Sequence, residues 1–290
     1  MIIDKDYIKS KFVKPYNIKE ILLFIDEIDE EYNYEYKNIK IKVYYRKNKD
    51  ILDINLIHTV LKRGSDIINH KSFNIILLLT PAIKEICYNK PLYVNNVNSG
   101  FTYTTRNEIF IFRKEEFPKV ILHEILHHDI NIHNDNFSLY NKHRLLKHFN
   151  LSNDSELILN ESIIEFWTTL IHLNYISKEY NLDFKSLIKI EIEYSLYKCY
   201  QIFKLRQKNK LYYDKCNVYS YIVFKTIFLV YFDQFKKIYT FPYDDTKITD
   251  FILKYSSYLK KVKKNPLFKF KGNLIQRTDD SLCFMLLSDL

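Results

Sequence analysis

The sequence predicts an α+β protein with an N-terminal mixed sheet flanked by helices and a mostly helical C-terminal lobe. Short alternations of apolar and polar residues, which are typical of strands, occur before residue 113. Long stretches with apolar residues at helical spacing occupy the chain after residue 157. Only three glycines and six prolines occur among 290 residues, so a long flexible linker is not indicated.

The N-terminal elements alternate between helical and extended patterns. Gly64 is expected to end one helix, Pro81 closes a buried apolar run, and Asn98-Ser99-Gly100 is a turn signal. The predicted elements, in chain order, are helix 17–32, strand 39–45, helix 51–62, strand 73–80, short strands 92–94 and 101–104, strand 107–113 and a helix beginning near Glu116.

Helices dominate the C-terminal part, after a polar stretch at 131–141. Asn153 is expected to cap the first of them, with Glu156 three residues later. The predicted helices are 157–176, 182–203, 218–237 and 248–262. We therefore expect one α/β lobe over 1–130 and one helical lobe over 131–290, with a site in a cleft between them.

The strongest functional signal is the sequence His-Glu-Ile-Leu-His at 123–127. Residues four apart lie on one face of a helix, so His123 and His127 can both direct a ring nitrogen at one metal ion. Neutral imidazole is a good ligand for Zn²⁺, which makes a water molecule acidic enough to ionise near neutral pH. Glu124 is expected to take the proton of that water. The motif predicts a zinc hydrolase.

The residues around this motif indicate a packed helix. Phe117, Val120, Ile121, Ile125 and Leu126 make the segment too apolar for a solvated surface helix. A chance match to this motif is expected in roughly 2% of chains of this composition. The apolar flanks favour the metal site over two unrelated surface histidines.

A catalytic zinc needs a third protein ligand, and Glu161 is the best candidate. It lies in a predicted helix among large apolar residues, where a carboxylate is costly without a compensating charge. Glu165 lies one turn later on the same face and is expected to accept a hydrogen bond from a ligating histidine. The alternative is an ordinary surface pair of glutamates.

The combination of His123-Glu124-Ile125-Leu126-His127 with Asn160-Glu161 and Glu165 on a later helix resembles the gluzincin group of zinc metallopeptidases. The resemblance covers roughly residues 39–176. It implies a zincin-like fold, a peptide or protein substrate, zinc held by His123, His127 and Glu161, and Glu124 as general base. It also implies that strand 107–113 is the edge strand that pairs with an extended substrate. The 33 residues between His127 and Glu161 exceed the spacing in thermolysin-like members and are closer to that in clostridial neurotoxin proteases.

Other histidines offer alternative ligand sets. His133 has the spacing of the metzincin motif, but Ile130 occupies the position where that motif needs glycine for a sharp turn. His143 or His148 would complete a histidine-only site, as in SprT-like proteases that act on proteins crosslinked to DNA. His128 points away from the ligand face, and His172 is expected to be a core histidine.

A residue that stabilises the oxyanion is also expected. Tyr219 and Tyr221 lie on an apolar segment of the helical lobe and are candidates among 25 tyrosines. Most tyrosines at such positions are core residues, so these two remain open.

The net charge and the cysteine pattern indicate which partners and which cellular compartment to expect. A net charge of +9 favours an acidic partner, and nucleic acid stays open because only 260–264 forms a dense basic run. Four widely spaced cysteines without a CxxC pair indicate reduced, mostly buried thiols. No secretory or membrane-spanning segment is predicted, so we expect a soluble cytoplasmic protein. The abundance of Tyr, Asn, Ile and Lys is compatible with an AT-rich genome, such as that of a large DNA virus or a parasite.

These observations favour a zinc-dependent metallopeptidase. The alternative from another functional class is a non-catalytic protein that uses the same scaffold to bind nucleic acid or a protein partner through its basic surface. An intact Glu124 favours the enzyme, because a purely structural metal site needs no general base at that position.

Overall fold

The computed structural model describes residues 3–16, 18–67, 71–86, 92–129, 137–205, 211–261 and 281–290. The chain forms two compact units. The first comprises Met1–Lys84, Val94–Asp129 and Ser288–Leu290, and the second comprises Glu85–Tyr93 and Ile130–Leu287. A five-stranded mixed sheet lies in the first unit, which confirms the predicted α+β class.

The sheet has the strand order β1-β2-β3-β5-β4. Its three inner strands are parallel to one another, and each edge strand is antiparallel to its neighbour. Strands β3 and β5 are apolar almost throughout, as expected for strands that are covered on both faces, whereas β2 alternates buried residues with the exposed Lys40 and Lys42. The strands are β1 Glu30–Tyr36, β2 Ile39–Tyr45, β3 Phe73–Leu78, β4 Gly100–Tyr103 and β5 Glu108–Ile111.

Five helices accompany this sheet in the described part of the first unit. The longest two, α3 and α5, pack against each other, and α5 also contacts β4 and β5. The helices are α1 Lys5–Lys11, α2 Lys19–Glu27, α3 Ile54–Ile67, α4 Val94–Val97 and α5 Phe117–Leu126.

Three predictions for the first unit were wrong in detail. The predicted helix 17–32 ends at Glu27, and the following tyrosine-rich residues form β1, because Tyr at every second position suits a half-buried strand. The predicted strand 92–94 gives way to the short helix α4. Gly64 does not end its helix, because α3 continues to Ile67.

Neither Gly64 nor Gly100 has a positive φ, so the contacts that a Cβ would make decide whether glycine is needed at each position. A Cβ on Gly64 would lie 2.7 Å from Cδ1 of Ile125, at the flexible end of a side chain. A Cβ on Gly100 would lie 3.0 Å from both the Phe110 carbonyl oxygen and Cγ1 of Val120. Gly100 therefore sets the close approach of β4 to β5 and α5.

We expect Gly100→Ala to lower the free energy of unfolding by about 1–3 kcal/mol, because a backbone oxygen cannot move away from the new methyl group. Gly64→Ala is the matched control. It should cost less, because the Ile125 side chain can rotate and alanine is favoured over glycine in a helix by about 1 kcal/mol. Urea unfolding of both variants measures the difference, and an equal loss would contradict this account of Gly100.

The described part of the second unit is built from helices. Predicted helices 157–176, 182–203 and 248–262 correspond to α7, α8 and α11, while α6 was not predicted. The elements are α6 Leu139–His148, α7 Leu159–Glu179, α8 Phe184–Lys204, a π-helical segment Tyr219–Phe224, α9 Lys225–Val230, α10 Phe232–Ile238, α11 Asp245–Tyr255 and a 3₁₀ segment Ser256–Lys261.

The predicted helix 218–237 is divided into three elements by local hydrogen bonding. The buried Asp214 carboxylate accepts hydrogen bonds from the backbone N–H groups of Cys216, Val218 and Tyr219, and the chain then enters the π-helical segment. A break follows at Tyr231, between α9 and α10. An apolar stretch alone does not reveal these interruptions.

Asn153 does not cap α7, which begins at Leu159 without a side-chain cap. The preceding backbone pairs elsewhere, since Ser152 N–H donates to the Tyr212 carbonyl and Glu156 N–H donates to the Asp214 carbonyl. These bonds hold residues 152–156 outside the helix. The predicted cap was wrong because the backbone N–H groups of this stretch donate to carbonyl groups of a segment that is distant in the chain.

A buried ion pair and buried thiols lie among the helices of the second unit. Lys225 Nζ lies 3.2 Å from the Glu191 carboxylate and donates to the Phe284 carbonyl oxygen. Burial raises the pKa of Glu191 and raises that of the Cys199 thiol to about 12. Cys199, Cys216 and Cys283 are buried and form no disulfide bond, whereas Cys87 lies outside the described residues.

No helix in the described ranges has the length and apolar character needed to cross a bilayer.

Candidate metal centre

The centre is built on α5, whose ten residues are all buried. The helix starts after Glu116, which has a left-handed backbone conformation with φ 61°, and Pro118 lies in its first turn. The Asp289 carboxylate accepts the Glu116 N–H at this end. His123 is 5% exposed and Glu124 is 6% exposed, so the motif helix is not a solvated surface helix.

The two motif histidines face each other at the end of this helix. Nε2 of His123 lies 3.2 Å from Nε2 of His127, and the ring centroids are 5.0 Å apart. His127 is the C-cap residue and retains helical dihedral angles, so the four-residue spacing places both rings on one face. Two neutral imidazole lone pairs this close repel each other unless a proton or a cation lies between them.

Glu161 lies in the first turn of α7. One carboxylate oxygen of Glu161 and one ring nitrogen from each of His123 and His127 lie within 4.8 Å of one another. This is a group of three side chains with the ligand types of a metal site, and sequence reasoning had named all three.

The donor set fits zinc. Tetrahedral ligands at the usual zinc distances of about 2.0–2.1 Å lie roughly 3.3 Å from each other. The separation of 3.2 Å between the two Nε2 atoms matches this value. Two imidazoles and one carboxylate leave the fourth position for water, as in catalytic zinc sites.

Glu124 does not belong to this group of ligand atoms. It follows His123 directly, so its side chain leaves the helix about 100° further round. It is buried and follows His123 directly in the sequence, and a carboxylate is a group that can accept a proton from water.

Glu165 lies one turn after Glu161 on α7, and its side chain is fully buried. Its Cα lies roughly 6 Å along the helix from that of Glu161, because a helix rises about 1.5 Å per residue. A buried carboxylate is costly unless hydrogen bonds or a positive charge compensate it. Because Glu165 is buried, it needs a hydrogen-bond donor, and a ligating histidine is the donor that we expect.

His128 is buried and anchors the end of the motif helix to the sheet. Its Nε2 lies 2.7 Å from the Thr102 hydroxyl, which donates its only hydrogen to the Glu108 carbonyl oxygen. His128 Nε2–H must therefore be the donor in the first bond. Its ring also meets Phe73 edge to face, and Lys71 donates to its carbonyl oxygen. Sequence reasoning missed this anchor because Thr102 gives no local signal of it.

Among the described residues, the alternative histidines His143, His148 and His172 do not join the group. His143 is exposed on α6, and Nε2 of His148 lies 2.7 Å from the Ser256 hydroxyl. His172 is buried, with Nε2 3.0 Å from the Leu287 carbonyl oxygen. His133 and Ile130 lie outside the described residues.

Tyr219 and Tyr221 belong to the π-helical segment and are buried in aromatic surroundings. Tyr219 packs against Phe149 and Tyr212, and Tyr221 stacks on Phe284 with ring centroids 4.8 Å apart. These contacts are those of core residues. A role for either as oxyanion stabiliser stays a prediction.

The expected substrate-binding strand was wrong. Strand β5 lies between β3 and β4, so its backbone is paired on both sides. The edge of the sheet nearest to it is β4. Because Phe112 N–H donates to the Ser99 carbonyl, the alternation of the ladder directs the backbone groups of Gly100 and Thr102 away from β5.

Comparisons with protein-family models, curated proteins and solved structures find no match for this chain.

Proposed function

We propose that this protein is a zinc-dependent metallopeptidase of gluzincin type. The observation that carries the proposal is the approach within 4.8 Å of ligand atoms from His123, His127 and Glu161. The adjacent buried Glu124 distinguishes this arrangement from a purely structural metal site, which needs no proton acceptor.

His123, His127 and Glu161 would hold the metal. Bound zinc would supply Lewis acidity, which polarises a carbonyl group and lowers the pKa of a water molecule towards neutrality. Glu165, buried one turn from Glu161, would orient a ligating imidazole by accepting its second ring N–H.

Glu124 would take the proton from the attacking water and pass it to the departing amine. Its burial and its place directly after His123 in the sequence support this role. The amine can then leave as a neutral group, which completes cleavage of the peptide bond.

Strand β4 is the part of the sheet suited to hold an extended peptide substrate. The outward backbone groups of the half-buried Thr102 can pair with a peptide in the manner of strand addition, whereas Gly100 is buried. The bond between Thr102 and His128 joins this strand to the end of the motif helix. A substrate aligned on β4 would thus be held by an element that is fixed to the metal-binding helix.

The metal-binding part of the proposal predicts about one zinc ion per chain after purification or reconstitution. His123→Ala and His127→Ala should each lose this zinc, because two remaining ligands bind it too weakly. His143→Ala is the matched control, since His143 is exposed on α6 and should retain full zinc content. Elemental analysis with circular dichroism measures metal content and fold together.

The catalytic part is tested with a peptide library and mass spectrometry. Wild-type protein with zinc should produce new amino termini, and both ligand variants should not. Zinc-loaded protein that cleaves no peptide or denatured protein would favour the scaffold class, in which the same site only binds. A protein that binds no zinc after reconstitution would overturn the proposal.

A further inference from the structure

Strand β1 forms the edge of the sheet opposite to β4. Its seven residues pair with β2 in one continuous register from Glu30↔Tyr45 to Tyr36↔Ile39. Because Phe73 and Leu79 donate to the carbonyls of Asn38 and Tyr44, the even-numbered residues of β2 direct their backbone groups to β3 and the odd-numbered ones to β1. The backbone groups of Glu31, Asn33 and Glu35 therefore point outward, and no other strand in the described ranges pairs with them.

Two of the three residues with outward backbone groups, Glu31 and Glu35, are acidic. Strand β1 contains three glutamates and no basic residue, whereas the whole chain has a net charge of +9. On the same face, Lys40 of β2 lies opposite Glu35, with their charged atoms 3.6 Å apart, and Lys42 lies opposite Asn33. On this face β2 is therefore basic and β1 is acidic. A basic strand added next to β1 would continue this alternation of charge.

The other face of β1 is aromatic and well fixed. Tyr32, Tyr34 and Tyr36 are half-buried against the core of the first unit. Tyr34 stacks on the His58 ring at 3.7 Å, and the Tyr32 hydroxyl lies 2.7 Å from Nε2 of the same histidine. Apolar side chains of an added strand would extend this layer.

We propose that β1 binds an extended basic segment of a partner protein, which adds as a sixth strand to the sheet. Side chains on an added strand alternate between faces, so the register of β1 specifies the sequence pattern. Lys or Arg at positions i and i+4 would lie opposite Glu31 and Glu35. Apolar residues at i+1 and i+3 would lie beside Tyr32 and Tyr34.

Acidic side chains on an edge can also serve only to prevent self-association. The usual protective features are a short strand, proline, a bulge or an inward-pointing lysine, and β1 has a long regular register without proline. A second copy of β1 is a poor occupant, because antiparallel pairing about Asn33 would place Glu31 opposite Glu35. The same carboxylates attract a basic strand.

The test uses two fluorescent peptides and fluorescence anisotropy with the full chain. The basic peptide is Thr-Lys-Val-Thr-Val-Lys-Thr, and the acidic peptide is Thr-Glu-Val-Thr-Val-Glu-Thr. We expect the wild type to bind the basic peptide at least tenfold more tightly than the acidic one, and salt should weaken this preference. Mass spectrometry verifies that the peptides stay intact.

Two sets of variants separate charge from strand pairing. Glu31→Lys combined with Glu35→Lys should reverse the preference between the two peptides. Asn33→Pro should reduce binding about tenfold or more while leaving the fold intact, because it removes an outward N–H that β2 does not use. Asn33→Ala is its control. Asp6→Lys combined with Glu20→Lys repeats the charge change at exposed helical positions and should keep the wild-type preference.

Failure of the basic peptide to bind would overturn the proposal. Binding that is unchanged by Asn33→Pro would also overturn it, because attraction to surface charge alone needs no strand edge. The outcome is independent of metal binding, since none of the variants alters the proposed zinc ligands.

Discussion

Glu124→Gln is expected to reduce peptidase activity by about 10²–10⁴-fold while zinc stays bound. Glutamine has nearly the shape of glutamate but cannot accept a proton from water at neutral pH. His123 and His127 are unchanged, so the metal should remain at stoichiometric amount. The measurement is the rate of cleavage of a peptide substrate, with zinc content and melting temperature determined on the same preparation.

Glu108→Gln on β5 is the control for the same chemical change. Its side chain forms an ion pair with Lys11 at 3.8 Å and belongs to none of the proposed catalytic groups. It should keep wild-type activity. Equal rates for wild type and Glu124→Gln would refute the role of Glu124 as base, whereas loss of both zinc and activity would assign it to the stability of the site.

Glu161→Gln is expected to weaken zinc affinity by more than about 100-fold, which is the upper limit for loss of a residue that only supports a ligand. The neutral amide oxygen is a much poorer ligand than a carboxylate. Glu165→Gln should cost about 10–100-fold, as a group that orients a ligand does. Competition with a chelator of known affinity measures both values.

Glu156→Gln is the matched control on the same part of the chain. It is an exposed carboxylate five residues before Glu161, and partial desolvation raises its pKa, yet it does not belong to the ligand group. It should leave zinc affinity unchanged.

His133→Ala tests the metzincin-like alternative. If His133→Ala empties the site and Glu161→Gln leaves it full, the ligand set proposed here is wrong.

Local sequence patterns predicted many of the helices and strands of both units. Strand β2 has the bounds that its alternation predicted, and α7 and α8 differ from their predicted ranges by a few residues. These elements follow from the periods of 2.0 and 3.6 residues, which neighbouring residues alone establish. The errors at β1 and at 218–237 occur where half-buried tyrosines and the Asp214 carboxylate override a helical pattern.

The sequence by itself determined that His123 and His127 share one face of an apolar helix, because helix geometry dictates the relation of residues four apart. It also identified Glu161 as an acidic residue that needs compensation in apolar surroundings. Only the tertiary structure decided that a Glu161 oxygen lies within 4.8 Å of the imidazole ligand atoms, that β4 and not β5 is the edge strand, and that His128 is held by Thr102. The physical reason is that these relations join residues distant in the chain, whose proximity depends on packing and strand order and leaves no periodic trace in the sequence.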